Sequence, residues 1–304
     1  MTHASSIVSA LRSVALNVPD LEFAEDFFTK TWQLSVVEKF SGAIYLRGTG
    51  EDHHVLSLHE VPGPAKIRFV TLRARSIQAL QDVSKSVVIA GGSVVSSLAQ
   101  VKSPGGGHGV TIADPDGRLF QLVFDDALHP DVNEIKDRPV RLAHAVLNSH
   151  DVDATQKFME EALDFSLSDR TRIMAFMRCN SDHHSIAIGI TDNDALNHIA
   201  FLMPDLESVM RGAGRMKDAG YATHWGPGRH GPGDNAFNYF IGPFDIVIEY
   251  TAEVQQIDDS YQVGQPSDWT WPPGRVDQWG ISLPPSDMLK KAQKAIVFVH
   301  KNSL

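Results

Sequence analysis

The chain has 304 residues, a formal net charge of −10, 42% hydrophobic residues and 21% charged residues, which is the composition of a globular protein able to bury a large core. Its single cysteine, Cys179, excludes an internal disulfide framework, a Cys-rich zinc site and an iron–sulfur cluster, and a negative chain without a Lys/Arg stripe argues against a nucleic-acid partner. No run approaches the roughly 18 apolar residues of a membrane helix, and the N-terminus lacks a basic start followed by an apolar core, so a cytoplasmic protein with no membrane partner is expected.

The first predicted elements lie in LRSVALNVPDLEFAEDFF (11–28): an apolar strand, a polar break, and a helix with Leu21, Ala24, Phe28 and Trp32 at helical spacing. EDHHVLSL (51–58) and IRFVTLRA (67–74) read as strands, followed by a helix ending at AGGSVV, then GGGHGV (105–110) and DPDGRLFQLVF (114–124). After the polar connector DDALHPDVNEIKDRPV (125–140) the same series returns: LAHAVLNSHDVDATQKFM (142–159), SDHHSIAI (181–188), LNHIAFLM (196–203), a helix ending at DAGYATH, PGRHGP (227–232) and GPFDIVIEY (242–250). The two series keep a near-constant offset, so the chain reads as a tandem duplication. Each copy is α+β and holds two βαβββ units. The predicted division is an N-terminal module at 1–125, a linker at 126–140, a C-terminal module at 141–253, and a strap with a capped terminal helix, SDMLKKAQKAIVFVHKN, at 254–304.

The chain carries 14 histidines. In a strand alternate residues share a face. On that period His144 in LAHAVLN, His198 in LNHIAFLM and Glu249 in IVIEY all fall on the faces expected to line the inside of a cup. Two histidines and one carboxylate form the facial triad of non-heme Fe(II) oxygenases, which leaves three adjacent coordination positions open; Mn(II) also accepts such a set. The first copy is an internal control, because Ser13, Phe69 and Gln121 stand at the corresponding positions and none is a good ligand. An unpaired carboxylate buried at Glu249 would be costly.

The segments LAHAVLNSHD, SDHHSIAIG, LNHIAFLMPD, GPGRHGPGDNAFNYFIGPFDIVIEY and DQWG together resemble the type I extradiol catechol dioxygenases of the vicinal-oxygen-chelate superfamily, through about residue 283. The resemblance implies two tandem vicinal-oxygen-chelate modules, each an incompletely closed barrel of paired βαβββ units, with a metal only in the second. It implies Fe(II), with Mn(II) possible, held by His144, His198 and Glu249, and O2 as co-substrate. His184, the second of a His-His pair, takes the acid/base role; His230 and Tyr239 stand beside it, and Asp234 is an acidic or amide neighbour. Val146 and Phe176 are expected to wall the substrate pocket. The partner implied is a small catecholic aromatic, cleaved beside its diol to a muconic semialdehyde-type acid, and the assembly a homo-oligomer, a tetramer or octamer. The rival readings are a metal-dependent glyoxalase- or isomerase-like enzyme, whose ligands usually come from both modules, and a ligand-binding protein of the same superfamily.

Overall fold

The computed structural model describes residues 7–130 and 135–304, so part of the expected linker lies outside the described residues. The first half runs β1 (Val8–Val18), α1 (Leu21–Asp26), β2 (Ser35–Phe40), β3 (Ala43–Arg47), β4 (Leu56–Glu60), β5 (Lys66–Ala74), α2 (Ile77–Ile89), β6 (Ser93–Gln100), β7 (His108–Ala113) and β8 (Leu119–Phe124). The second half repeats it as β9 (Arg141–Ser149), α3 (Val152–Leu163), β10 (Ser166–Arg170), β11 (Met174–Arg178), β12 (Ile186–Ile190), β13 (Ala195–Leu202), α4 (Leu206–Asp218), β14 (Thr223–Arg229), β15 (Ala236–Ile241) and β16 (Val247–Ala252).

The sheet orders are β2-β3-β4-β1-β5-β8-β7-β6 and β10-β11-β12-β9-β13-β16-β15-β14. The second is the first with eight added to every strand number, so the two modules share one topology. Neither sheet closes into a barrel. In each, the central hydrogen-bonded trio sets the floor of the cup: β1 with β5 and β8, β9 with β13 and β16.

Capping follows the sequence. Asp20, Ser76, Asp151 and Asp205 each accept a backbone N–H at the start of their helices, the usual way of satisfying an orphan donor. In α3, Val152, Thr155, Phe158, Met159 and Ala162 are all buried, as their spacing predicts. The first helix departs from its α spacing, because α1 passes at Phe27–Thr31 into a wider π-turn. That turn carries Trp32 into the other module, where its ring stacks on Tyr250 at 3.6 Å and meets Phe201 and Phe240 edge-on. Tyr250 also donates its hydroxyl to the Trp32 carbonyl at 3.1 Å. The outer faces of the two sheets are thereby joined in one continuous core.

The tail is an ordered strap. Asp277 is fully buried and accepts from the N–H groups of Gly280 and Ser282. The terminal helix is shorter than expected: α5 covers only Asp287–Ala292, capped by Ser286, and Ile296–Val297 forms a two-residue strand, β17, on β13. The run IVFV is β-branched and aromatic, so it extends once an open strand end is available.

Candidate metal centre

His144 stands on β9, opposite Ala200 on β13, and Ala200 in turn pairs Glu249 on β16. His198 lies two residues before Ala200 on the same face. Three adjacent strands therefore deliver two imidazoles and a carboxylate to one point. Glu249 Oε2 is 3.2 Å from His144 Nε2 and 3.2 Å from His198 Nε2, and all three side chains are buried. The same register in the first module sets Ser13 opposite Thr71 and Thr71 opposite Gln121, so the correspondence expected from the offsets is realised strand by strand.

A hydrogen-bond chain assigns the tautomer of His198. The Gln293 carbonyl can only accept, so Asn148 donates its Nδ2 there at 2.8 Å. Asn148 Oδ1 then accepts from Asn197 Nδ2 at 2.8 Å, which leaves Asn197 Oδ1 to accept from His198 Nδ1–H at 2.8 Å. In the neutral ring Nε2 thus carries a lone pair aimed at the Glu249 carboxylate. Burial first, against the pull of Glu249, lowers the His198 pKa to about 4. Burial alone would raise the carboxyl of Glu249, but the attraction of His144, first among the imidazoles around it, outweighs this and holds the group well below its ordinary range. A neutral imidazole and an ionised carboxylate facing each other in a dry site form a cation-accepting arrangement. Glu249 Oε1 has no hydrogen-bond partner, which leaves it a further lone pair for a cation. The donor set fits Fe(II) or Mn(II).

The other predicted residues gather at this point with one exception. His184 packs its ring 4.3 Å from that of His144. Tyr239 pairs Glu249 across β15 and β16, and its hydroxyl is 3.1 Å from His230 Nε2 and 3.4 Å from His198 Nε2. Burial, with the Glu249 charge beside it, raises the phenol well above its ordinary value, so it stays a proton donor. His230 stacks on Phe237 at 4.0 Å. Val146 and Phe176 form one apolar cluster with Ala187, and Phe176 meets His184 edge-on.

The structure does not bring Asp234 to the site. Its backbone turns at φ +46, and Oδ1 accepts instead from Gln278 of the strap at 2.8 Å. The next residue, Asn235, takes the inward position: it is fully buried and donates to Thr251 Oγ1 at 2.7 Å. Gly233, at φ +82, clears the space, since a side chain there would meet His184, Asn235 and His183 at 3.0–3.2 Å.

Neighbouring residues fix the orientation of His184. His183 is fully buried, and its Nε2–H donates to Asp169 at 2.8 Å. Asp169 also accepts from the Gly264 N–H and the Tyr261 hydroxyl of the strap. In a neutral His183, Nδ1 then accepts from His184 Nδ1–H at 3.0 Å, which leaves Nε2 of His184 as the basic atom. Burial, helped by His144, pushes the His184 pKa well below its ordinary value, so the ring is neutral. Cys179 takes no part, because burial raises its thiol to about 12.

A second His/carboxylate group, Asp116, His150 and Asp194, lies nearer the surface. There the Arg118 guanidinium already supplies the cation, 2.6 Å from Asp116 and 2.7 Å from Asp194.

The family model described as Glyoxalase/Bleomycin resistance protein/Dioxygenase superfamily matches residues 10–122 and 141–250, one match per module. Metapyrocatechase 2 of Cupriavidus necator is 31% identical over 220 residues, spanning 62% of this chain and 66% of its own length. Among solved structures, the Mn(II)-bound glyoxalase of Novosphingobium aromaticivorans superposes with a TM-score of 0.87 at 35% identity, over 93% of this chain and 94% of that one. The homoprotocatechuate 2,3-dioxygenase of Arthrobacter globiformis gives 0.85 at 20% identity, over 98% and 94%, a likeness of fold. With both modules matched, the chain belongs to the Glyoxalase/Bleomycin resistance protein/Dioxygenase superfamily.

Proposed function

We propose that the protein is an extradiol ring-cleavage dioxygenase acting on a small catecholic substrate, with His144, His198 and Glu249 as ligands to one Fe(II), a site that also accepts Mn(II). The observation that carries this reading is the convergence of all three ligand side chains, with His184, His230 and Tyr239, inside one module and not the other. The division at 1–125, 126–140, 141–253 and 254–304 belongs to the same reading, as do a homo-oligomeric assembly and a cytoplasmic address.

When bound, the divalent metal lowers the pKa of the diol hydroxyls and brings the diol and O2 together. His184 stands ready as a base, because burial keeps it neutral and its Nδ1–H is committed to His183. A proton taken at Nε2 from a diol hydroxyl can be returned as the ring opens. With His230 Nε2–H donating to the Tyr239 hydroxyl at 3.1 Å, the phenol proton of Tyr239 is left to donate toward the developing oxyanion. Val146 and Phe176 give the ring an apolar wall and exclude water. Asp234 is left to hold the strap through Gln278, and Asn235 takes the buried position against Thr251.

One observation favours a second reading, a glyoxalase-type isomerase: the 35% identical relative is a Mn(II)-bound glyoxalase. An oxygen electrode separates the two. Iron-loaded protein given a panel of catechols is expected to consume one O2 per ring cleaved. Isomerisation of a glutathione hemithioacetal with no oxygen uptake on any catechol supports the isomerase instead.

A further inference from the structure

The cup of the first module lacks the metal ligands, yet it encloses a cavity of about 120 Å³. Its lining includes Arg12, Tyr45, His54, His59, Arg68 and Phe69, and no carboxylate among the described residues faces it. Arg12 is already compensated, since its Nε donates to Asp126 at 3.3 Å and Nη1 to Ser13 at 3.0 Å. Arg68 is not. Its one hydrogen bond among the described residues is from Nη1 to Asn17 Oδ1 at 3.0 Å; its Nε is buried without a partner, and no acidic side chain pairs with it. A half-buried guanidinium with no counter-ion is costly unless an anion joins it.

The duplication makes the observation specific. Arg68 is the extra residue of a bulge between the pairs Ala15–Phe69 and Leu16–Ile67. The second module has the same bulge at Asn197, between Leu147–Leu196 and Val146–His198. A bulge re-aims its side chain, and both bulged residues bond an asparagine on the neighbouring strand, Asn17 or Asn148. Where the metal module holds a neutral amide that orients a ligand, the other module holds a cation facing a cavity. Tyr45, at the register position of Phe176, and Phe69, at that of His198, give this cavity an aromatic wall.

We propose that the first module is a second small-molecule site, which binds a small organic carboxylate on Arg68 with its carbon chain against Tyr45 and Phe69. A cavity of this size takes a ligand of roughly six heavy atoms or fewer. A planar carboxylate matches the fork of a guanidinium better than a spherical ion does, and the aromatic wall favours an organic anion over phosphate.

The test is calorimetric titration of the metal-loaded protein with propionate, its neutral analogue propionamide, and inorganic phosphate. Propionate is expected to bind, propionamide not, and phosphate more weakly than propionate. In Arg68→Asn, which copies the residue the second module folds with, propionate affinity should fall about tenfold or more, with turnover at the other module unchanged; Arg68→Lys should restore part of it. Val101→Trp, on the rim loop, should block the cavity and gives the same readout should Arg68→Asn fail to fold. Unchanged propionate affinity in both Arg68→Asn and Val101→Trp, or no propionate binding to the wild type, overturns the proposal. Phosphate binding tighter than propionate overturns the assignment to a carboxylate.

Discussion

Asn197 accepts the Nδ1–H of His198 at 2.8 Å and so turns the Nε2 lone pair of that ring toward Glu249. Such partners of a metal ligand typically contribute about 10–100-fold to metal affinity. Asn197→Ala is therefore expected to weaken Fe(II) or Mn(II) binding by about that factor while the chain stays folded. Metal titration followed by circular dichroism checks both halves, with one equivalent bound per wild-type chain.

His184 receives no such share of metal binding. His184→Phe should keep its metal and lose about 10²–10⁴-fold in turnover, the usual contribution of a general acid–base group. Asp169→Asn should give a smaller loss in turnover, because it removes the acceptor that fixes His183 and through it the free Nε2 of His184. Metal content and steady-state turnover measured on the same samples distinguish these effects from loss of the ion.

The ligand triad was legible in the sequence for a particular reason. Strand periodicity put His144, His198 and Glu249 on inward faces, and the duplication supplied Ser13, Phe69 and Gln121 as a control. Asp169, Asn197 and Tyr261 were not legible. Asn197 points inward only because of a bulge, which a period of two does not reveal. Asp169 and Tyr261 meet across 92 residues of chain. The inward amide was placed one residue early, at Asp234, because the turn around Gly233 decides which of two neighbours faces the cup. The terminal helix was overextended because its apolar run suits a strand equally well, and β13 had a free position to pair.

Stability should fall at acid pH through the first module. Burial, then the Arg12 charge, holds His54 well below its ordinary value, and burial, then Arg68, lowers His59 to about 4. The unfolded chain protonates these rings near 6.5, whereas the folded chain does so only at lower pH. Stability is thus complete above 6.5 and declines as the pH drops toward about 4. For His59 the loss is at most roughly 3 kcal/mol, less after solvent screening. Denaturant midpoints between pH 7.5 and 4.5 test this, and His59→Gln should flatten the decline.

Trp32 is the main apolar plug between the modules, fully buried against Tyr250, Phe201 and Phe240. Trp32→Ala should cost about 3–5 kcal/mol. The expected readout is a lower denaturant midpoint, with the metal still bound under native conditions because no ligand touches Trp32.

The central claim is extradiol chemistry at a divalent metal. The only tyrosine hydroxyl hydrogen-bonded to the triad among the described residues is that of Tyr239, and Tyr250 faces the other way onto Trp32, so the Tyr/Tyr/His/His set of an Fe(III) intradiol site is not assembled. Intradiol and extradiol products of one catechol have the same mass, so the deciding measurement is the functional group formed. Iron-loaded protein should convert an accepted catechol to a yellow semialdehyde that a hydrazine traps, with one O2 consumed per ring. A colourless diacid with no trappable aldehyde contradicts the account.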